Sequence, residues 1–165
     1  MYKVGDHVVY RRDVCQVKNI KKSKLGEDEY YVLVPIDDAS LTIDIPVDNR
    51  RGFLRDLITE EEVENIISHI QEVEIIDKPD KLLENEYRLL LNTGDHLDLV
   101  KIIKTAYARN KYRLDNKKKT GDKDSYYHEK AEKYLYNEFG IILGLNFEDT
   151  KSYVTDKVSE TEKIN

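Results

Sequence analysis

The hydropathy period changes once along this chain, near Thr59, and that change limits the fold more than any other feature. Before it, apolar and polar residues alternate in short runs, as in half-buried strands. These runs are His7-Val8-Val9-Tyr10, Val14-Cys15-Gln16-Val17, Glu29 to Val34, and Leu41-Thr42-Ile43-Asp44-Ile45. The opening MYKVGDHVVY reads as a strand starting at Tyr2 and turning at Gly5-Asp6. Gly26-Glu27-Asp28 reads as a hairpin turn, and Pro35 to Ser40 as a further connection. Four or five short strands at this spacing predict a small β-barrel, with little interior for a catalytic pocket.

After Thr59 the period is helical. Thr59 with Glu62 forms a capping box signature, and Val63, Ile66, Ile67 and Ile70 follow at helical spacing. Lys78-Pro79-Asp80 breaks that helix, and Asp80 is expected to cap a second one through Leu82, Leu83, Tyr87, Leu90 and Leu91. Gly94 ends it, and Asp95 opens a third helix running to about Tyr112. A fourth is expected from about Asp124 to Leu143, and a fifth from near Asn146 into a tail that frays beyond Ser159. The fold class is therefore α+β. A small β-barrel occupies residues 1–56, and an all-helical domain of about five helices occupies 57–160.

The sequence argues against several functions. The longest apolar runs fall far short of a membrane span, and the first residues do not read as a secretory signal. The lone Cys15 cannot form an internal disulfide and reads as a small buried hydrophobe, so a cytoplasmic setting is expected. His7, His69, His96 and His128 are scattered, with no metal-ligand spacing and no phosphate-binding glycine motif nearby. No catalytic residue, metal site, cofactor or small-molecule substrate is expected; the chain does not read as an enzyme.

Charge is segregated. Net charge is −6, and residues 60–98 hold twelve acidic side chains against three basic ones. Residues 101–119 reverse this, with eight basic side chains (Lys101, Lys104, Arg109, Lys111, Arg113, Lys117, Lys118, Lys119) against Asp115. Such a segment makes a positive field within an acidic protein. Leu99, Val100, Ile103, Ala106 and Tyr107 are expected on one side of this helix, with Lys101, Lys104 and Lys111 as a ridge facing outward. There are twelve tyrosines and no tryptophan; Tyr127 and Tyr134, near Lys130 and Lys133, read as core residues by their spacing.

The stretches YKVGDHVVY, GEDEYYVLVP and LTIDIPVDN resemble the CarD/CdnL family of bacterial transcription regulators. Downstream, LLLNTGDHLDLVKIIKTAY and HEKAEKYLYNEF, with Ala131, Leu135 and Glu138, are similar to that family's later helices. The resemblance implies a Tudor-like barrel that docks on the β subunit of RNA polymerase. It also implies a helical domain that lies on promoter DNA at the upstream edge of the bubble and modulates open-complex stability. On that basis the expected polymerase-binding residues are Lys21, Lys22 and Lys24 together with the strand Thr42, Ile43, Asp44, Ile45 and Pro46. The expected DNA-binding residues are Lys81, Lys101, Lys104, Lys111, Lys117, Lys118, Lys119 and Lys130. DNA contact is expected to be weak and sequence-independent, with no membrane partner and a monomeric state.

Two departures stand out. The family's DNA-wedging tryptophan corresponds to Asp80-Lys81, where neither side chain offers an apolar plate. Asp44 stands where the family's docking strand carries an arginine. The alternative reading is a protein-interaction adaptor that docks on polymerase or another partner without binding DNA.

Overall fold

The structure, a computed structural model, describes residues 1–164, with side chains through Thr161. It comprises two units, Met1–Ile58 and the chain from Thr59 onward. The first holds strands β1 (His7–Tyr10), β2 (Asp13–Lys22), β3 (Glu29–Pro35), β4 (Ile43–Pro46) and β5 (Leu54–Arg55). All neighbouring pairs are antiparallel, in the order β4-β3-β2-β1-β5. Alternate residues point inward, so Val8, Cys15, Val17, Tyr31, Leu33, Ile45 and Leu54 form one buried cluster.

The expected barrel is not closed by strand pairing, because β4 and β5 are both sheet edges. Asn49 spans part of the gap with its side chain. Its amide accepts a hydrogen bond from the Leu54 N–H at 3.1 Å and donates one to the Leu54 carbonyl at 3.0 Å. It does so from a left-handed backbone, φ 51°, which asparagine tolerates better than most residues.

Three local expectations change. No strand starts at Tyr2; instead a turn with Gly5 at φ 97° folds against β2. There the Gly5 N–H donates to the Val17 carbonyl at 2.8 Å, and the Val17 N–H donates to the Asp6 carbonyl at 2.9 Å, beside a register shift in β2. β2 extends through its basic end to Lys22, because Lys21 and Lys22 find partners in Tyr30 and Glu29 on β3. β4 begins at Ile43 rather than Leu41, which is exposed.

The second unit holds α1 (Glu60–His69), a short 3-10 turn (Ile70–Glu72), α2 (Asp80–Asn92), α3 (His96–Asp115), α4 (Asp122–Leu143) and α5 (Phe147–Ile164). The Thr59–Glu62 capping box is present in both directions. Asp95 caps α3, accepting from the Leu97 N–H at 2.8 Å. Asp80 does not cap α2. Pro79 takes that position without a side-chain bond, and Asp80, inside the helix, pairs with Arg109. α5 stays helical past Ser159, where fraying was expected. Among the described residues no helix is long and apolar enough to cross a membrane.

Candidate functional site

In the sheet unit the candidate surface is the outer edge of β4. The Val47 N–H donates to the Glu29 carbonyl at 3.0 Å. Bonded positions in an antiparallel ladder recur every second residue. With Ile45 opposite Tyr31 and Ile43 opposite Leu33, those two residues direct their backbone groups to β3. The N–H and C=O of Asp44 therefore face the open edge. Ile45, expected among the polymerase-binding residues as a donor on this edge, instead directs its N–H to β3 and its side chain into the sheet core. Ile43 is half-buried, while Lys22, Lys24, Thr42 and Pro46 are exposed. Asp44 is not an isolated negative charge, because the Lys21 ammonium lies 2.6 Å from its carboxylate. A groove of about 690 Å³ runs along the seam past this edge, lined by Tyr10, Arg11, Tyr30, Ile45, Arg50 and Phe53 among others. The Arg11 guanidinium stands 4.3 Å from the centre of the Phe53 ring, a cation–π contact.

In the helical unit the basic segment divides into two sets. Arg109 and Arg113 turn inward to Asp124, which is 3% exposed. Arg109 reaches its carboxylate at 3.1 Å and Arg113 at 2.6 Å, while the Tyr87 hydroxyl donates to it at 2.7 Å. Burial pushes the Asp124 carboxyl upward, but the hydrogen bonds from Tyr87, Arg113 and Arg109 outweigh it and hold the group below the usual carboxylate range. Arg109 also pairs with Asp80 at 3.0 Å, tying the start of α2 to α3. The arginines stand four apart, one helical turn, so both can reach one carboxylate. That spacing is visible in the sequence; the identity of the acid on α4 is not.

Lys104 departs from the expected ridge. Its ammonium donates to the Ile70 carbonyl at 3.0 Å and the Gln71 carbonyl at 3.3 Å, and also to that of Val73. It is thus occupied in satisfying a helix end. At about 100° per residue Lys111 lies roughly 40° from Tyr107, beside it rather than opposite, and two further placements on the wheel change. Ile102, rather than Ile103, is fully buried, and Tyr107, expected in the core, is 59% exposed. α3 buries Leu99, Ile102, Thr105 and Ala106, a face that the arginines at 109 and 113 prolong. Of the expected DNA-facing lysines, Lys81, Lys111, Lys117, Lys118 and Lys119 are exposed, and Lys101 and Lys130 are half-buried. The Lys130 ammonium lies 5.3 Å from the Tyr126 ring centre. Tyr127 is buried as expected, stacked on Tyr87, while Tyr134 is half-buried. The remaining acidic core residues are paired as well: Glu138 with His96 at 2.7 Å, and Glu132 with His128 at 2.9 Å and Lys151 at 3.0 Å.

No curated protein matches the chain. A family model does, over the sheet unit that carries this edge. Residues 2–58 match the CarD-like/TRCF RID domain, a family of RNA polymerase-interacting domains.

Proposed function

We propose that this protein is a cytoplasmic, monomeric transcription regulator that docks on the β subunit of RNA polymerase. Docking uses the β4 edge, and the helical unit touches promoter DNA at the upstream border of the bubble, modulating open-complex stability. The observation that carries the reading is the free edge of β4 within a polymerase-interacting domain. An unpaired strand edge recruits a partner strand through main-chain hydrogen bonds, and flanking side chains set specificity. Lys21, at 2.6 Å from Asp44, offsets the negative charge placed on that strand. Lys22 and Lys24 extend the cationic flank. The DNA contact is assigned to Lys81, Lys101, Lys111, Lys117, Lys118, Lys119 and Lys130. Phosphate neutralisation by such side chains is sequence-independent and falls with salt. With Asp80 engaged by Arg109, the DNA contact has no wedge at that position.

The test is Asp44→Pro. Proline here removes the outward donor and leaves the β3 ladder intact, the one kind of strand position where it is tolerated. Co-purification of the polymerase β subunit should be lost while Cys15 stays shielded from thiol reagents. Retained co-purification would show that docking uses another surface. The adaptor reading draws on one specific observation, that Lys104, Arg109 and Arg113 are consumed inside the helical unit. A salt-dependent gel shift on forked promoter DNA separates the two, the adaptor giving none.

A further inference from the structure

We infer that the C-terminal end of α3 is a platform for single-stranded DNA, with bases stacked on Tyr107 and Tyr112 and phosphates held by Lys111 and Lys117 to Lys119. The inference rests on the DNA contact proposed above and names the form of DNA that fits it. The final turns of α3 hold α4 along a stripe that runs through Arg109 and Arg113 to Asp124 and through Asn110 to Ser125. Tyr107 and Tyr112 lie off that stripe, 59% and 67% exposed. They stand five residues apart, about 7.5 Å along the axis and roughly 140° around it. Lys111, the small Ala108 and, one turn beyond Lys111, Asp115 fall between them on the wheel, so a strand crossing between the two rings meets an ammonium in the middle and leaves the acid beyond Tyr112.

The helix end supplies the second observation. The Lys118 N–H donates to the Arg113 carbonyl at 2.8 Å and the Lys117 N–H to the Leu114 carbonyl at 3.0 Å, the paired bonds of a Schellman cap. Lys117 sits at the position glycine usually fills, with φ 58°. A left-handed lysine is less stable than glycine there, so the cap carries a cationic side chain at a backbone cost. Beside the cap, the Tyr112 carbonyl accepts from the Asn116 amide side chain at 2.7 Å. Exposed aromatic rings interleaved with lysines fit unpaired bases; in a duplex the base faces are already stacked and only the phosphates are offered. Asp115 is the single acid in this segment.

The experiment uses the full chain and fluorescence anisotropy with three labelled probes of about twelve nucleotides, within the site size of such surfaces. The probes are oligo-dT, a duplex of the same length, and a base-free deoxyribose-phosphate oligomer. Oligo-dT should bind most tightly. The double variant Tyr107→Ala/Tyr112→Ala should lose about tenfold or more on oligo-dT, with little change on the duplex. Tyr107→Phe/Tyr112→Phe should retain binding and controls for folding. Replacing Lys117, Lys118 and Lys119 with glutamine should flatten the log-affinity versus log-salt slope by roughly 0.7 for each phosphate that is no longer neutralised. Equal affinity for oligo-dT and the base-free oligomer would overturn the platform, as would an alanine pair that binds oligo-dT like the parent. In either case duplex binding would leave the general DNA contact standing. Absence of binding to every probe and to forked promoter DNA would overturn both.

Discussion

The two units are closed by different physics. The sheet unit buries an apolar cluster of valines, leucines, Ile45, Tyr31 and Cys15. Among the described residues, the buried polar and charged ones (Thr105, Asp124, Glu132, Glu138 and Thr150) all lie in the helical unit. Alternation along antiparallel strands sends polar residues to the outer face and leaves the inner one to apolar side chains. α2 has only thirteen residues, and its hold on α3 and α4 includes Asp80–Arg109 and the Tyr87–Asp124 hydrogen bond. The basic segment shows what the difference means. Part of what reads as one positive patch is the ionic seam of the helical core, and only the remainder is available to an anion.

The sharpest way to break this contrast is Asp124→Asn. It leaves Arg109 and Arg113 beside a neutral group and should cost the helical unit about 2–3 kcal/mol, less than for a fully buried pair because both guanidiniums are partly exposed. Urea titration followed by ellipticity at 222 nm reads the helices. Labelling of Cys15, fully buried and with its thiol pushed by burial up to about 12, reads the sheet. The helical midpoint should fall and the labelling midpoint stay. If both move together, the units unfold as one and the contrast fails.

A smaller effect is expected on acidification. Asp124 and Glu132 are both held below the ordinary carboxylate range; burial opposes this, but hydrogen bonds from Tyr87, Arg113 and Arg109, and from His128 and Lys151, prevail. A carboxyl with a depressed folded pKa contributes stability that is present above its unfolded value and lost as pH falls through the folded one. The helical unit should therefore hold its stability down to about pH 4 and lose it below. The sheet core, which contains no carboxylate, should lose less over the same range. Amide exchange of β2 and β3 against α3 and α4 at pH 5 and pH 3 measures the difference; equal losses would show that the sheet is also charge-dependent.

The smallest expected change is a gain. Lys117→Gly relieves the left-handed backbone at the α3 cap and should stabilise the helical unit by about 0.5–1 kcal/mol. A thermal melt checks it. A loss of stability would mean that the Lys117 side chain holds the cap, and that its charge serves the fold.

Much of the architecture follows from local chemistry and was readable in order along the chain. The shift from alternating to helical period, the Thr59–Glu62 box, the Gly94–Asp95 junction and the turn residues depend on neighbours within a few positions, and each forms as expected. The motif stretches YKVGDHVVY, GEDEYYVLVP and LTIDIPVDN pointed to the domain family that residues 2–58 match.

What only the tertiary structure decided is how equivalent side chains are spent. Lys104 and Lys111 look alike on a wheel, yet three carbonyls at the end of a 3-10 turn sit within reach of Lys104, while Lys111 is exposed. Arg113 and Lys117 both belong to one basic run, yet Asp124 faces the first and solvent the second. Tyr107 shares helical phase with the buried Val100, but in its part of α3 the packed stripe runs through Arg109 and Arg113 instead. Lys21 reaches Asp44 across β3 because the β2–β3 and β3–β4 registers bring residues twenty-three positions apart together. Periodicity tells which side chains share a face. Whether that face meets a carboxylate, a carbonyl or water depends on elements far away in the chain, and that choice separates the residues that hold this protein together from those left to bind something else.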